Sequence, residues 1–231
     1  MIVLNIETST DSCSAAITID GVAVAVAANL SAANHASELP VFIEQLLRQA
    51  KENDWHLDAV ALSQGPGSYT GLRIGASIAK GICYGLNIPL IPIDTLQVLC
   101  ASLQNTMQNA LLYPMLDARR MEVYTALYES TDKGNFKRCG DVEAKIIDQD
   151  AFAEELQQQP IIFFGNGAMK CKEVITAQNA HFIDNIVPQA KYMGLLAEAQ
   201  TNRLAVKEMA YYEPFYLKEF VAAPSHIKGL K

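Results

Sequence analysis

The chain has 231 residues, 50% of them hydrophobic, with a mean hydropathy of +0.09, which fills the core of one large domain or two small ones and excludes a disordered protein. A net charge of -7 and an isoelectric point near 5.1 argue against a surface that grips phosphate backbones unaided, so any nucleic acid would be held mainly by another molecule. Five scattered cysteines without a Cys-x-x-Cys exclude a disulfide framework and a zinc knuckle, and no run approaches the roughly 18 apolar residues of a membrane span.

Met1 leads directly into an apolar run without a basic leader, so a cytoplasmic protein is expected. Residues 2–6, 13–19 and 22–28 read as strands, the last two joined by Asp20-Gly21, a strong two-residue hairpin signal. From Asn34 the period becomes helical through Leu39, Phe42, Ile43, Leu46, Leu47 and Ala50, with Asn34 or Ser37 as cap and Pro40 in the first turn. A strand at 57–62, a glycine loop, a helix from Tyr69 to Gly85, a strand at 89–93 and a helix at 94–104 complete the first half.

The polar stretch 104–109 is the boundary candidate, giving an N-terminal lobe over 1–104, a C-terminal lobe over 105–217 and a mobile tail over 218–231. Strands are expected at 110–116, 121–128 and 136–142, the last two linked around Asp132 to Asn135. A helix at 148–158, a strand at 161–164, the turn Gly165-Asn166-Gly167, a helix at 168–178, a strand at 181–183 and a helix at 189–203 follow. The order strand, strand, strand, helix, strand, helix, strand, helix therefore occurs twice, predicting an α/β protein of two similar lobes facing across a cleft, as in actin, Hsp70 and sugar kinases.

The least generic stretch runs Ser63-Gln64-Gly65-Pro66-Gly67-Ser68-Tyr69-Thr70-Gly71-Leu72-Arg73-Ile74-Gly75. It fits neither a Walker A loop, since Gly67 and Gly71 enclose three residues and Leu72 follows, nor a dinucleotide fingerprint, since Thr70 stands at the last glycine position. Ser68, Thr70 and the first helical amides would form an anion-accepting helix start or a docking edge, or else cap the helix. Each glycine inside a helix costs roughly 1 kcal/mol against alanine, so Gly71, Gly75 and Ala79, four apart, point to close approach of a second backbone, from this chain or from a partner.

In the two-lobed architecture, phosphates are gripped by the turn after the first strand of each half. The first, Ile6-Glu7-Thr8-Ser9-Thr10-Asp11-Ser12, has the acidic residue and hydroxyls but no glycine. In the second, Leu116-Asp117-Ala118-Arg119-Arg120-Met121, bulky residues crowd the place of a phosphate nest. Glu7 and Asp117 are expected to face each other across the cleft, closed by Arg119. Gly165-Asn166-Gly167 is acceptable as an adenosine-side turn or as a purely structural one.

Ile6 to Thr10, Gly65 to Gly75, Leu116 to Arg119 followed by Glu122-Val123-Tyr124, and Glu213-Pro214-Phe215-Tyr216-Leu217 together resemble the TsaB family, formerly YeaZ, over essentially the whole chain. Departures are Glu7, where many relatives have Asp, and Lys218, where many have Arg. The resemblance implies the non-catalytic partner subunit of bacterial threonylcarbamoyladenosine biosynthesis at adenosine 37 of tRNA. It also implies partnership with the catalytic paralogue TsaD and the ATPase TsaE, with a homodimer as the alternative pairing and tRNA met only through the complex. The implied packing surface is the helix pair, drawing on Leu39, Phe42, Leu46, Tyr69, Gly71, Leu72, Gly75 and Ala79.

The residues themselves offer little catalytic equipment. His35, His56, His181 and His226 include no pair four apart on a helix, so no metal site is expected, and no Gly-x-Ser-x-Gly elbow occurs. No cofactor of its own is expected, with ATP at an interface with partners. The weak nucleotide candidates are Glu7, Thr8, Gly65, Gly67, Ser68, Asp117, Gly165 and Gly167. The alternative is an active ATP-dependent phosphotransferase or ATPase of the same fold. Tyr211, Tyr212, Phe215, Tyr216 and Phe220 around Pro214, followed by basic residues, could stack on nucleic acid bases, but residues 211–217 read rather as a segment sealed against the domain surface.

Overall fold

The computed structural model describes residues 1–103, 110–130 and 136–218. The boundary stretch at 104–109, the link at 132–135 and the tail from 219, with Phe220 and His226, lie outside the described residues. Strands β1 (Ile2–Glu7), β2 (Cys13–Ile19) and β3 (Val22–Asn29) form the expected meander, with Asp20 and Gly21 both at positive φ in the tight turn. Helix α1 (His35–Glu52) begins earlier than a Ser37 cap would give, so Pro40 lies inside it, past the first turn. It buries Leu39, Ile43, Leu46 and Ala50.

The next strand, β4 (Ala59–Gly65), extends into the glycine loop, followed by α2 (Tyr69–Leu86), β5 (Leu90–Asp94) and α3 (Thr95–Ala101). Parallel pairing of β1 with β4 and of β4 with β5 gives the order β3-β2-β1-β4-β5. In the second half come β6 (Leu111–Asp117), β7 (Glu122–Thr125), β8 (Tyr128–Ser130), β9 (Phe136–Arg138) and β10 (Glu143–Ile146). They precede α4 (Ala153–Gln158), β11 (Ile161–Phe164), α5 (Ala168–Cys171) and β12 (Ala180–Ile183). The central path β10-β7-β6-β11-β12 repeats the first sheet's order, so the duplicated actin/Hsp70-like α/β architecture is present.

The second half is more broken than its sequence suggests. The strand expected at 121–128 splits at Ala126-Leu127, β7 and β8 both pairing antiparallel with β6 but along different stretches of it. The third sheet strand of this half is β10, a segment read as coil, because the stretch at 136–138 instead pairs β8.

A larger difference concerns the lobes as packing units. After β12 the chain returns to the first sheet, where a 3-10 turn (Ala190–Tyr192) and α6 (Gly194–Ala199) replace the continuous helix expected at 189–203. Ala190, Met193 and Ala197 pack with Val3, Ala16, Ala61 and Ile93 on the face away from α1 and α2. Helix α7 (Val206–Met209) then lies against α2. Conversely, Leu96, Leu99 and Cys100 of α3 pack with Leu112, Leu116 and Phe164 of the second sheet. Asp94 caps α3 through Leu96 N at 2.8 Å and accepts Arg138 Nη1 at 2.9 Å from β9.

Because Met193 is wholly buried in this crossing, Met193→Ala is expected to lower the unfolding free energy by about 2–5 kcal/mol in a urea titration. Loss of amide protection should appear in β1 and β5 as well as around residue 193.

Candidate functional site between the lobes

The first turn is held by Glu7, whose carboxylate is fully buried. Its Oε1 accepts Ser9 N at 2.6 Å and Ser9 Oγ at 2.5 Å, while Oε2 has no hydrogen-bond partner among the described residues. Burial pushes the Glu7 pKa above its ordinary 4.5, the Ser9 hydroxyl and amide pulling the other way. Glu7 thus lies beneath the turn and does not face Asp117 across the cleft. Thr8 is likewise buried, its Oγ1 unpartnered and directed at α2.

The glycine loop sits on this turn. Ser68 N donates to Ser9 O at 2.6 Å, and Ser68 Oγ accepts Gly71 N at 3.3 Å as the cap of α2. A Cβ on Gly71 would lie 2.1 Å from Thr8 O, and one on Gly75 would lie 2.4 Å from Thr8 Oγ1. The inward spine is completed by Ala79, buried in the same core as Leu39 and Leu46, and by Leu72, buried beside Gly65 of the glycine loop. The close approach inferred from the glycines is real, but the neighbour is Thr8, in the turn directly after β1 of the same chain. Leu39, Leu46, Gly71, Leu72, Gly75 and Ala79 are therefore structural, and of the expected packing residues Phe42 and Tyr69 alone keep partial exposure.

The second turn is filled differently. Arg119 and Arg120 adopt φ of 68° and 51°, and the Asp117 carboxylate with the carbonyls of Arg120 and Glu122 converges on Lys170 Nζ, the last two at 2.8 and 2.7 Å. The turn presents acceptors and holds an ammonium, so its polarity is opposite to that of a phosphate nest. Asn166 Oδ1 accepts Asp117 N at 3.1 Å. Gly165, at φ 107°, has no room for a Cβ, which would lie 2.3 Å from Met115 O, so the Gly165-Asn166-Gly167 turn seats against β6 as the glycine loop seats against β1.

Between these turns lies a cleft of about 500 Å³ that contains Ser9, Gly67, Ser68, Asp117, Arg119 and Asn166. Its outer wall is the C-terminal segment. Phe215 N donates to Gln64 O at 2.7 Å, the Tyr216 ring lies tilted against Tyr69 at 4.9 Å, and Lys218 pairs with Glu122. Glu7, Thr8, Gly65, Gly165 and Gly167 support the walls without lining them. Lys170, Asn166 and the cleft-lining role of the tail escaped sequence reasoning; a lysine on the helix after a glycine turn opposite an acidic turn was the available signal.

The family profile described as TsaD, tRNA N6-adenosine threonylcarbamoyltransferase, matches residues 21–225. The chain belongs to the TsaD family. Within it the likeness is to TsaB proteins. The tRNA threonylcarbamoyladenosine biosynthesis protein TsaB of Haemophilus influenzae is 27% identical over 223 residues, 94% of each chain. Its Bacillus subtilis counterpart is 29% identical over 181 residues, 76% of this chain and 75% of that one. YeaZ from Pseudomonas aeruginosa superposes with a TM-score of 0.75 at 23% identity, covering 94% of this chain and all of the other, a likeness of fold. The TsaB resemblance carried by the glycine signature thus holds along the chain.

Two outcomes are expected of this TsaB-like first turn. Gly71→Ala should cost about 1–3 kcal/mol in thermal or urea unfolding, because Thr8 O is backbone and cannot yield, whereas Gly81→Ala, with open space around it, should gain up to about 1 kcal/mol. The raised Glu7 pKa means that the folded state keeps a proton the unfolded chain has released. Its stabilising contribution is full below 4.5 and is lost as pH rises through the folded value. Stability measured against pH should therefore decline above 4.5 more steeply in the native protein than in Glu7→Gln, and parallel profiles would refute the assignment.

Proposed function

We propose that the chain serves tRNA threonylcarbamoyladenosine biosynthesis as a non-catalytic partner of a TsaD-type transferase and a TsaE-type ATPase. The process comes from the names of its relatives, and the non-catalytic role is supported by the two turns at the cleft. One is covered by the glycine loop through Ser68 N to Ser9 O, and the other holds the Lys170 ammonium where a nucleotide phosphate would have to lie. On this reading the chain has no cofactor of its own, any ATP lies at an interface with partners, and tRNA is reached through the complex in the cytoplasm.

The docking surface we assign is the outward side of the α1–α2 pair. Ser77, Gly81 and Gly85 recur four apart on the solvent side of α2, with nothing within 4 Å of where a Cβ would stand on either glycine. They are flanked on α2 by Tyr84, 76% exposed, and the neighbouring helix α1 adds Val41, 59% exposed. Helix α2 thus has two small-residue stripes, one spent on its own strand and one open to a foreign helix. A second copy of the chain would use the same surface when no partner is present.

The purified chain should hydrolyse ATP no faster than a protein-free control, and threonylcarbamoyl transfer to tRNA should require it together with the transferase and the ATPase. ATP turnover by the chain alone that disappears in Asp117→Asn would establish the phosphotransferase reading instead. Gly81→Trp should weaken association with the transferase tenfold or more, roughly 1.4 kcal/mol, with an unchanged melting temperature. Unaltered affinity in that variant would remove the docking assignment.

A further inference from the structure

A second concavity, of about 640 Å³, runs between α2 and the chain after α7 and shares Tyr69, Tyr216 and Lys218 with the cleft between the turns. Arg73 and Lys80 enter it from α2. Arg73 Nη1 donates to Tyr69 Oη at 2.7 Å with its guanidinium 5.3 Å from that ring, and Lys80 Nζ reaches Ala210 O at 3.4 Å and stands 5.8 Å from the Tyr212 ring. Neither cation forms an ion pair with a carboxylate among the described residues. Two unpaired cations two turns apart on one face of α2 are a marked local departure in a chain of net charge -7.

The opposite wall is aromatic. Tyr211 is 89% exposed, so one ring face is offered to solvent, and the Tyr212 hydroxyl is buried without a hydrogen-bond partner among the described residues. Glu213 also borders the groove, and Lys218 there is already paired with Glu122, which leaves Arg73 and Lys80 in excess by one charge.

We propose that this groove binds nucleotide units, with phosphates on Arg73 and Lys80 and a base against Tyr211. Cations with free donors take phosphate oxygens, and an exposed ring supplies the sequence-tolerant stacking that a planar base uses. An acidic peptide would satisfy the two cations but leave the Tyr211 face uncovered. The volume lies within the range of pockets that enclose ligands of nucleotide size, roughly 300–1,000 Å³. The groove meets the proposed docking stripe at Ser77, and its test uses the isolated chain, so it can fail without the partner assignment failing.

The test is titration of the isolated full chain with a fluorescent single-stranded RNA of about ten nucleotides, at several salt concentrations, with AMP as competitor. Arg73→Ala/Lys80→Ala should weaken binding at least tenfold and flatten the salt dependence of log K by about 1.4, two phosphate contacts at roughly 0.7 each. Tyr211→Ala, at a fully solvated position that cannot disturb folding, should weaken binding about tenfold without changing that slope. Displacement of the RNA by AMP would make free nucleotide the ligand; RNA binding that AMP does not displace would make it the strand, and either supports the groove. No binding at low salt, binding unchanged in the variants, or equal binding of a poly-glutamate peptide would overturn it.

Discussion

The Ser68 amide bonded to the Ser9 carbonyl, with Gly71 seated on the Thr8 carbonyl, fixes the position of α2 relative to β1, and most other features of the first lobe follow from that contact. A helix this close to a strand's end requires residues without side chains on its inner stripe, and it places the loop backbone over the first turn. The same closeness buries Glu7 under Ser9 and withdraws it from solvent. A carboxylate that in an open turn would work on a ligand here holds its own chain's amide and hydroxyl.

The second lobe repeats this plan with different chemistry. Gly165 and Gly167 lie on β6 as Gly67 and Gly71 lie on the first turn, but the neighbouring turn closes around an ammonium. Lys170 neutralises Asp117 and satisfies two carbonyls in a backbone bent by two consecutive left-handed arginines. The cleft is thus bounded by one turn closed by a backbone and another closed by a side chain, and its aliphatic hydroxyls belong to Ser9, Thr10, Ser68 and Thr70.

The first lobe was legible in the sequence because its elements are long and regular. The Asp20-Gly21 hairpin, the helical spacing of Leu39 through Ala50 and the glycine signature each carried a local signal. The second lobe was legible only in element order, since its strands are three to seven residues long and its helices four to six, short enough that tertiary pairing sets their limits. The site was half legible. That Gly71 and Gly75 needed a close neighbour was evident; which neighbour was not, because spacing places residues on one helix face without saying what covers it. Glu7 shows the same limit, as strand alternation does not reveal whether the end of a strand opens to solvent or lies beneath a loop. The Lys170 contact with Asp117, some fifty residues away in sequence, was legible only by setting the two turns side by side.

The return of Ala190, Met193 and Ala197 to the first sheet, with Leu96, Leu99 and Cys100 of α3 packed on the second, leaves each half dressed with a piece of the other. During synthesis the first five strands emerge early, yet one side of their sheet, covered from the same half by Val98 of α3, stays largely open until residues 190–199 have emerged. Native assembly is therefore a late, whole-chain event, and the nascent N-terminal half is the species that a chaperone would have to shield.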